Sequence, residues 1–129
     1  MKTTPPLIPH RWAWHYRALV RLGRELAGES NQRTAVMRVA TERGGADSGD
    51  AASEEFEHET LLAEIRQEQA ELVEVDAALD RIRDGTYGVC QLTGEPIEAA
   101  RLRVVPWTRY STIAAAKLER SAGTARPPA

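Results

Sequence analysis

The stretch Arg81-Ile-Arg-Asp-Gly-Thr-Tyr-Gly-Val-Cys-Gln-Leu-Thr-Gly-Glu-Pro-Ile97 decides how this chain is read. It has the form of the first half of a zinc knuckle, with Thr93 standing where the second thiolate of the pair belongs. A structural tetrahedral zinc takes four thiolate or imidazole ligands, and a second ligand pair would follow roughly ten to thirty residues on. No Cys and no His follows Ile97. The loop of a metal site is kept without its ligands, so packing has to hold it.

Immediately upstream, Ser53 to Asp84 reads as a helix that Gly85 ends, with Leu61, Ile65, Leu72, Val75, Leu79 and Ile82 stepping by threes and fours and Glu68 interrupting once. A matching helix runs from Arg11 to about Arg43 through Trp12, His15, Leu19, Leu22, Leu26, Val36 and Ala40, with Glu29 and Arg33 in the two missing steps. Between them lies Gly44-Gly-Ala-Asp-Ser-Gly-Asp-Ala-Ala52, rich in turn formers. Two such helices on a tight linker fold back as an antiparallel coiled-coil hairpin roughly 45 Å long, over residues 11–84 with its tip at 44–52.

The register can be read as well. Opposed seam positions have numbers adding to 97 or 98: Leu19 with Leu79, Leu22 with Val75, Leu26 with Leu72, Val36 with Leu61. Residues 11–43 carry seven Arg against three Glu, and residues 53–84 eleven acids against three Arg, so the helices attract side by side. In the polar mid-seam layer, Arg33 is expected between Glu29 and Glu68, fixing register at a cost in stability. A seam closed within one chain argues for a monomer.

Residues 1–10, with three prolines, read as an extended lead-in packed on the globular domain. Residues 85–120 read as that domain: a β-like Tyr87 to Leu92, a turn at Thr93-Gly-Glu-Pro96, a strand-like alternation over Arg101-Leu-Arg-Val-Val105 and a short helix from Thr112 to about Arg120. Residues 121–129 read as a flexible tail. Candidates for the packing that replaces metal are Trp107 first, then Val104, Leu102, Ile97, Tyr87, Ile113, Leu7, Ile8, Trp12 and Trp14.

The bulk numbers agree with a mainly α chain of one domain plus an appendage: 129 residues, only 5% aromatic. A net charge of −2 lacks the basic surface that concentrates proteins on phosphate backbones, which disfavours direct sequence-specific DNA binding. With one Cys there is no internal disulfide, and no apolar run is long enough for a membrane, so a cytoplasmic location is expected.

With the hairpin and knuckle together, the chain resembles the DksA/TraR family of bacterial RNA polymerase secondary-channel regulators. Two landmarks carry the resemblance: Ala78 to Cys90 continuing through Thr93-Gly-Glu-Pro-Ile97 and Arg101-Leu102 to Pro106, and the tip pattern Asp47-x-x-Asp50-x-Ala52. The fold it implies is a long antiparallel coiled-coil hairpin plus a small zinc-finger-like, treble-clef-like domain with a short C-terminal helix. The function it implies is non-enzymatic. The hairpin enters the secondary channel of RNA polymerase and brings Asp47, Asp50 and Ala52 toward the active site, changing open-complex stability.

The resemblance also shows where this chain departs. The four positions that are cysteines in zinc-bearing members are Cys90, Thr93, Ser111 and Ala114 here, so no metal is expected and the likeness is to the zinc-free DksA paralogue. The family usually cooperates with ppGpp, a co-regulator linked to the stringent response. Gln67, Glu74 and Ala115 stand where basic side chains help hold that nucleotide in well-studied members, so no strong site is expected.

Asp47 and Asp50 alone would be a solvated turn, Cys90 a structural thiol rather than a nucleophile, and His10, His15 and His58, without ligand spacing, seam or surface residues. The rival functions are a GreA-like transcript-cleavage factor, whose tip would hold a second metal ion, and a helical-hairpin interaction scaffold.

Overall fold

The computed structural model describes residues 7–42 and 51–124. A 3-10 turn at His10–Trp12 leads into α1 (Ala13–Glu42), which is followed by α2 (Ala51–Asp84), α3 (Ala99–Val104) and α4 (Thr112–Thr124). Most of the tip segment, with Asp47 and Asp50, lies outside the described residues, as do the first six residues and the last five. The chain forms two compact units: a base of residues up to Val20 with those from Val75 on, and a distal unit, Arg21–Glu74.

The base holds the apolar core. Leu19, Val75, Ala78, Leu79, Ile82, Tyr87, Cys90, Ile97, Leu102 and Ala114 are buried there. Full burial of one Leu or Ile side chain is worth about 1.5–3 kcal/mol, so Leu19, Ile82 and Leu102 together contribute on the order of 5–9 kcal/mol before entropy is counted. The distal unit is thinner: its buried residues are Leu26, Ile65, Ser30 and Glu68. Antiparallel pairing shows within each unit. In the base the Arg83 guanidinium of α2 sits 5.9 Å from the Tyr16 ring of α1, and in the distal unit Arg33 of α1 bonds Glu64 of α2 at 2.9 Å. The position numbers of the second pair add to 97, inside the register read from the heptads. Val36, placed in that seam with Leu61, is 59% exposed.

Gly85 ends α2 with φ 82°, and both Thr86 and Tyr87 donate their backbone N–H to the Arg81 carbonyl, at 2.9 and 3.2 Å. This left-handed closure satisfies the carbonyls that a helix end leaves orphaned. Trp12 then lies across the start of the knuckle, edge-on to Tyr87 at 4.8 Å and to His15 at 5.1 Å. A Cβ on Gly88, whose φ is 84°, would fall 2.9 Å from Trp12 Cη2 and Cζ2, so only glycine permits this approach. His15 is held below its ordinary pKa by burial and by the nearby Arg103 charge.

Three sequence readings are corrected here. Arg101 to Val105 is helical, within α3 and its cap, rather than strand-like: Leu102 N–H bonds the Glu98 carbonyl and Val105 N–H the Arg101 carbonyl. Without a partner strand, the backbone satisfies itself by i→i−4 bonds, and the alternation left Leu102 buried and Val104 75% exposed. Tyr87 to Leu92 makes only an isolated antiparallel bridge, Val89 with Pro96. α4 continues to Thr124, four residues past the expected end and into the segment read as a tail. Of the packing candidates, Tyr87, Ile97 and Leu102 are buried, Trp107 and Trp12 half-buried, and Ile113 and Leu7 exposed.

Candidate functional site

Of the three candidate tip residues, Ala52 is described, exposed in the first turn of α2; Asp47 and Asp50 lie outside the described residues. The other polar clusters lie in the knuckle of the base and in the Arg33 layer of the distal unit.

In the knuckle, Cys90 N–H bonds the Glu95 carbonyl at 2.8 Å and Gly94 N–H returns to the Cys90 carbonyl at 2.8 Å, while Ile97 N–H bonds the Gly88 carbonyl at 2.8 Å. These bonds wrap the chain tightly around Cys90, which is 1% exposed. Burial by itself pushes the Cys90 thiol up, but the Thr93 hydroxyl and the backbone N–H groups of Ser111, Thr93 and Leu92 point at the sulfur and pull it down to about 6. Ser111 caps α4: its Oγ accepts the Ala114 N–H at 3.2 Å and its carbonyl the Ala115 N–H at 2.9 Å. The Glu98 carboxylate adds a second cap, accepting the Thr112 N–H at 3.2 Å; its pKa is held below the usual carboxylate range first by the hydrogen bond from the Thr112 side chain, with the backbone N–H groups of Glu98 and Thr112 adding to it. Cys90, Thr93 and Ser111 are thus brought together, and Ala114, fully buried, puts a methyl group beside Ser111.

Sequence reasoning missed how the loops after α3 are tied down. Arg81 donates to the carbonyls of Trp107 and Thr108 at 3.2 and 3.3 Å, Arg101 Nε to the Tyr110 carbonyl at 2.8 Å, and the buried Tyr87 hydroxyl to the Pro106 carbonyl at 2.8 Å. Long-range bonds to carbonyls have no signature in residue spacing.

In the distal layer, Arg33 pairs with Glu68 in a very short contact, with Glu64 at 2.9 Å, and loosely with Glu29 at 3.9 Å. The sequence had placed Arg33 between Glu29 and Glu68; Glu64 is the addition. Glu68 is 6% exposed, and its Oε1 is buried without a hydrogen-bond partner. Desolvation raises the Glu68 pKa, the Arg33 charge opposes that, and the adjacent Glu29 raises it further.

Three comparisons bear on this arrangement. The family model described as "Prokaryotic dksA/traR C4-type zinc finger" matches residues 85–123. The chain is 38% identical over 97 residues to the RNA polymerase-binding transcription factor DksA of Caulobacter vibrioides, covering 74% of this chain and 67% of that protein. The chain belongs to the DksA/TraR family. General stress protein 16O of Bacillus subtilis is 33% identical over 119 residues, 87% of this chain and 71% of that protein. An uncharacterized protein of Aquifex aeolicus is 48% identical over 60 residues, 46% of this chain and 41% of that relative's length. Among solved structures, transcription factor DksA2 from Pseudomonas aeruginosa superposes with a TM-score of 0.75 at 27% identity, covering 88% of this chain and 92% of that one.

The family model describes a four-cysteine zinc finger, and the residues here do not fit that metal. At the four positions stand one thiol, two hydroxyls and a methyl, and both hydroxyls already accept backbone N–H groups: Thr93 Oγ1 from Glu95 at 3.2 Å, Ser111 Oγ from Ala114. Hydroxyls are poor ligands for a borderline-soft cation. Among the described residues, no group of three or more His, Cys, Asp and Glu side chains is placed to hold a metal ion, and no helix is long and apolar enough to cross a membrane.

Proposed function

We propose that this chain is a non-enzymatic, monomeric transcription regulator that binds RNA polymerase through the secondary channel, presents Asp47, Asp50 and Ala52 near the active site, and alters open-complex stability without zinc and without direct DNA contact. The observation that carries this reading is the coincidence of a knuckle closed around Cys90 by backbone bonds with the long α1–α2 hairpin, the combination that the DksA2 structure also has in outline. The Caulobacter relative's name supplies the partner. A hairpin with an acidic second helix suits a pore lined by basic groups, and two carboxylates in a glycine-rich segment can approach an arginine-lined or metal-centred site. With Gln67 and Glu74 on α2, ppGpp is expected to add little.

The test is open-complex lifetime at a ribosomal RNA promoter with purified RNA polymerase. The wild-type chain should shorten it, Asp50→Asn should bind the polymerase equally and lose most of the effect, and ppGpp should add less than twofold. Full activity of Asp50→Asn would remove the role given to the tip, and failure to bind polymerase would remove the reading itself.

A further inference from the structure

The base carries a row of stacked side chains whose two ends the role given to the tip leaves unused. The Arg11 guanidinium lies over the Trp12 ring at 4.9 Å, Trp12 stands edge-on to His15 at 5.1 Å, His15 edge-on to Trp14 at 5.0 Å, and the Arg103 guanidinium of α3 lies over the Trp14 ring at 4.6 Å. The middle of the row is sealed, with His15 buried. Its ends are open. Arg11, Trp14 and Arg103 are exposed, and so is Val104, which follows Arg103 on the outer face of α3. Among the described residues, no ion pair or hydrogen bond joins either guanidinium to a carboxylate. Two fixed positive charges therefore stand on aromatic surface with nothing of opposite sign against them.

We propose that this row docks an acidic segment of a partner protein, with one carboxylate on Arg11, another on Arg103, and an apolar side chain of the same segment on Trp14 and Val104. A guanidinium over an indole engages the ring through its face and keeps its in-plane N–H fork for a carboxylate. The ring also fixes where that fork stands, so less freedom is lost on binding. The chain of contacts holds the two guanidiniums at most about 20 Å apart, a span that an extended segment rising about 3.3 Å per residue covers in about six residues. A nucleic-acid backbone suits this surface less well. The same unit exposes the carboxylates of Asp84 and Glu95, the whole chain carries a net charge of −2, and Trp14 and Val104 offer apolar surface that phosphates do not use.

Fluorescence anisotropy of two labelled peptides, at low and constant ionic strength, tests this with the full chain. The acidic peptide carries glutamates about six residues apart around a central leucine, and its counterpart has glutamine in their place. The acidic peptide should bind saturably, one to one, and at least tenfold more tightly than the counterpart. Arg103→Glu and Arg11→Glu should each weaken it at least fivefold, whereas Arg38→Glu, at an exposed arginine of the distal unit, should leave it unchanged. Arg103→Gln, expected to weaken binding at least threefold, keeps the test valid if a charge-reversed variant fails to fold. The proposal is overturned if the two peptides bind alike, if the Arg103 or Arg11 variants bind as wild type does, or if Arg38→Glu weakens binding as much as Arg103→Glu. It is overturned as well if a single-stranded oligonucleotide of equal charge displaces the acidic peptide as effectively as the unlabelled peptide does.

Discussion

Gly88→Ala measures how closely the base is packed. At φ 84° an added Cβ costs about 1–2 kcal/mol in backbone strain alone. That Cβ would also lie 2.9 Å from two Trp12 ring atoms, and relieving the overlap costs a further 1–3 kcal/mol or so. The expected loss is about 2–5 kcal/mol. Gly85 and Gly94 have the same sign of φ, 82° and 74°, but nothing within 4 Å of the added Cβ, so their alanine variants should lose only the backbone share of about 1–2 kcal/mol. Equilibrium urea denaturation followed by tryptophan fluorescence reports on the right region, because all three tryptophans, at 12, 14 and 107, belong to the base. With a slope near 2 kcal/mol/M, the Gly88→Ala midpoint should fall about 1–2.5 M. In a Trp12→Leu background the packing share should vanish, so the two changes should be non-additive. If Gly88→Ala matches Gly85→Ala within about 0.5 kcal/mol, the reasoning about Trp12 fails.

Gly28 lies inside α1 with open space where a Cβ would go, so Gly28→Ala should stabilise the chain by about 0.5–1 kcal/mol in the same urea assay, and a loss would show that the position is needed for close packing. Tyr87→Phe removes the buried bond to the Pro106 carbonyl and should cost about 1–2 kcal/mol; no change would show that the bond is replaced by water. The Cys90 thiol, lowered to about 6 from its ordinary 9, should show thiolate absorbance at 240 nm that disappears as pH falls through about 6. Because its folded-state pKa is depressed, its contribution to stability is fully present above pH 9 and fades as pH drops through about 6. A midpoint above 8 would show that the N–H groups do not converge on the sulfur.

Much of this structure was legible because helical seams repeat. The three-and-four spacing set α1 and α2 nearly to the residue, and the heptad register placed Arg33 between Glu29 and Glu68, though not beside Glu64. At the knuckle, Gly85 as helix stop and the Thr93 to Pro96 turn were readable because glycine and proline have backbone consequences of their own. The Arg101 to Val105 segment misled because a five-residue apolar alternation fits either period, and only the absence of a partner strand decides. Val36 misled for a related reason: burial needs a filled neighbourhood as well as a seam position, and Val39, Phe56 and Val73 of the distal unit are exposed as well. The Arg81 bonds to the carbonyls of Trp107 and Thr108, and the seat of Trp12 on Gly88, join parts of the chain far apart in sequence and leave no local trace.

The knuckle's independence of metal is tested most directly by native mass spectrometry of the chain purified from zinc-replete cells, paired with urea denaturation in the presence and absence of a chelator. The mass of the bare polypeptide is expected, with denaturation midpoints that coincide. One zinc ion per chain, or a midpoint that drops when chelator is added, would contradict the account.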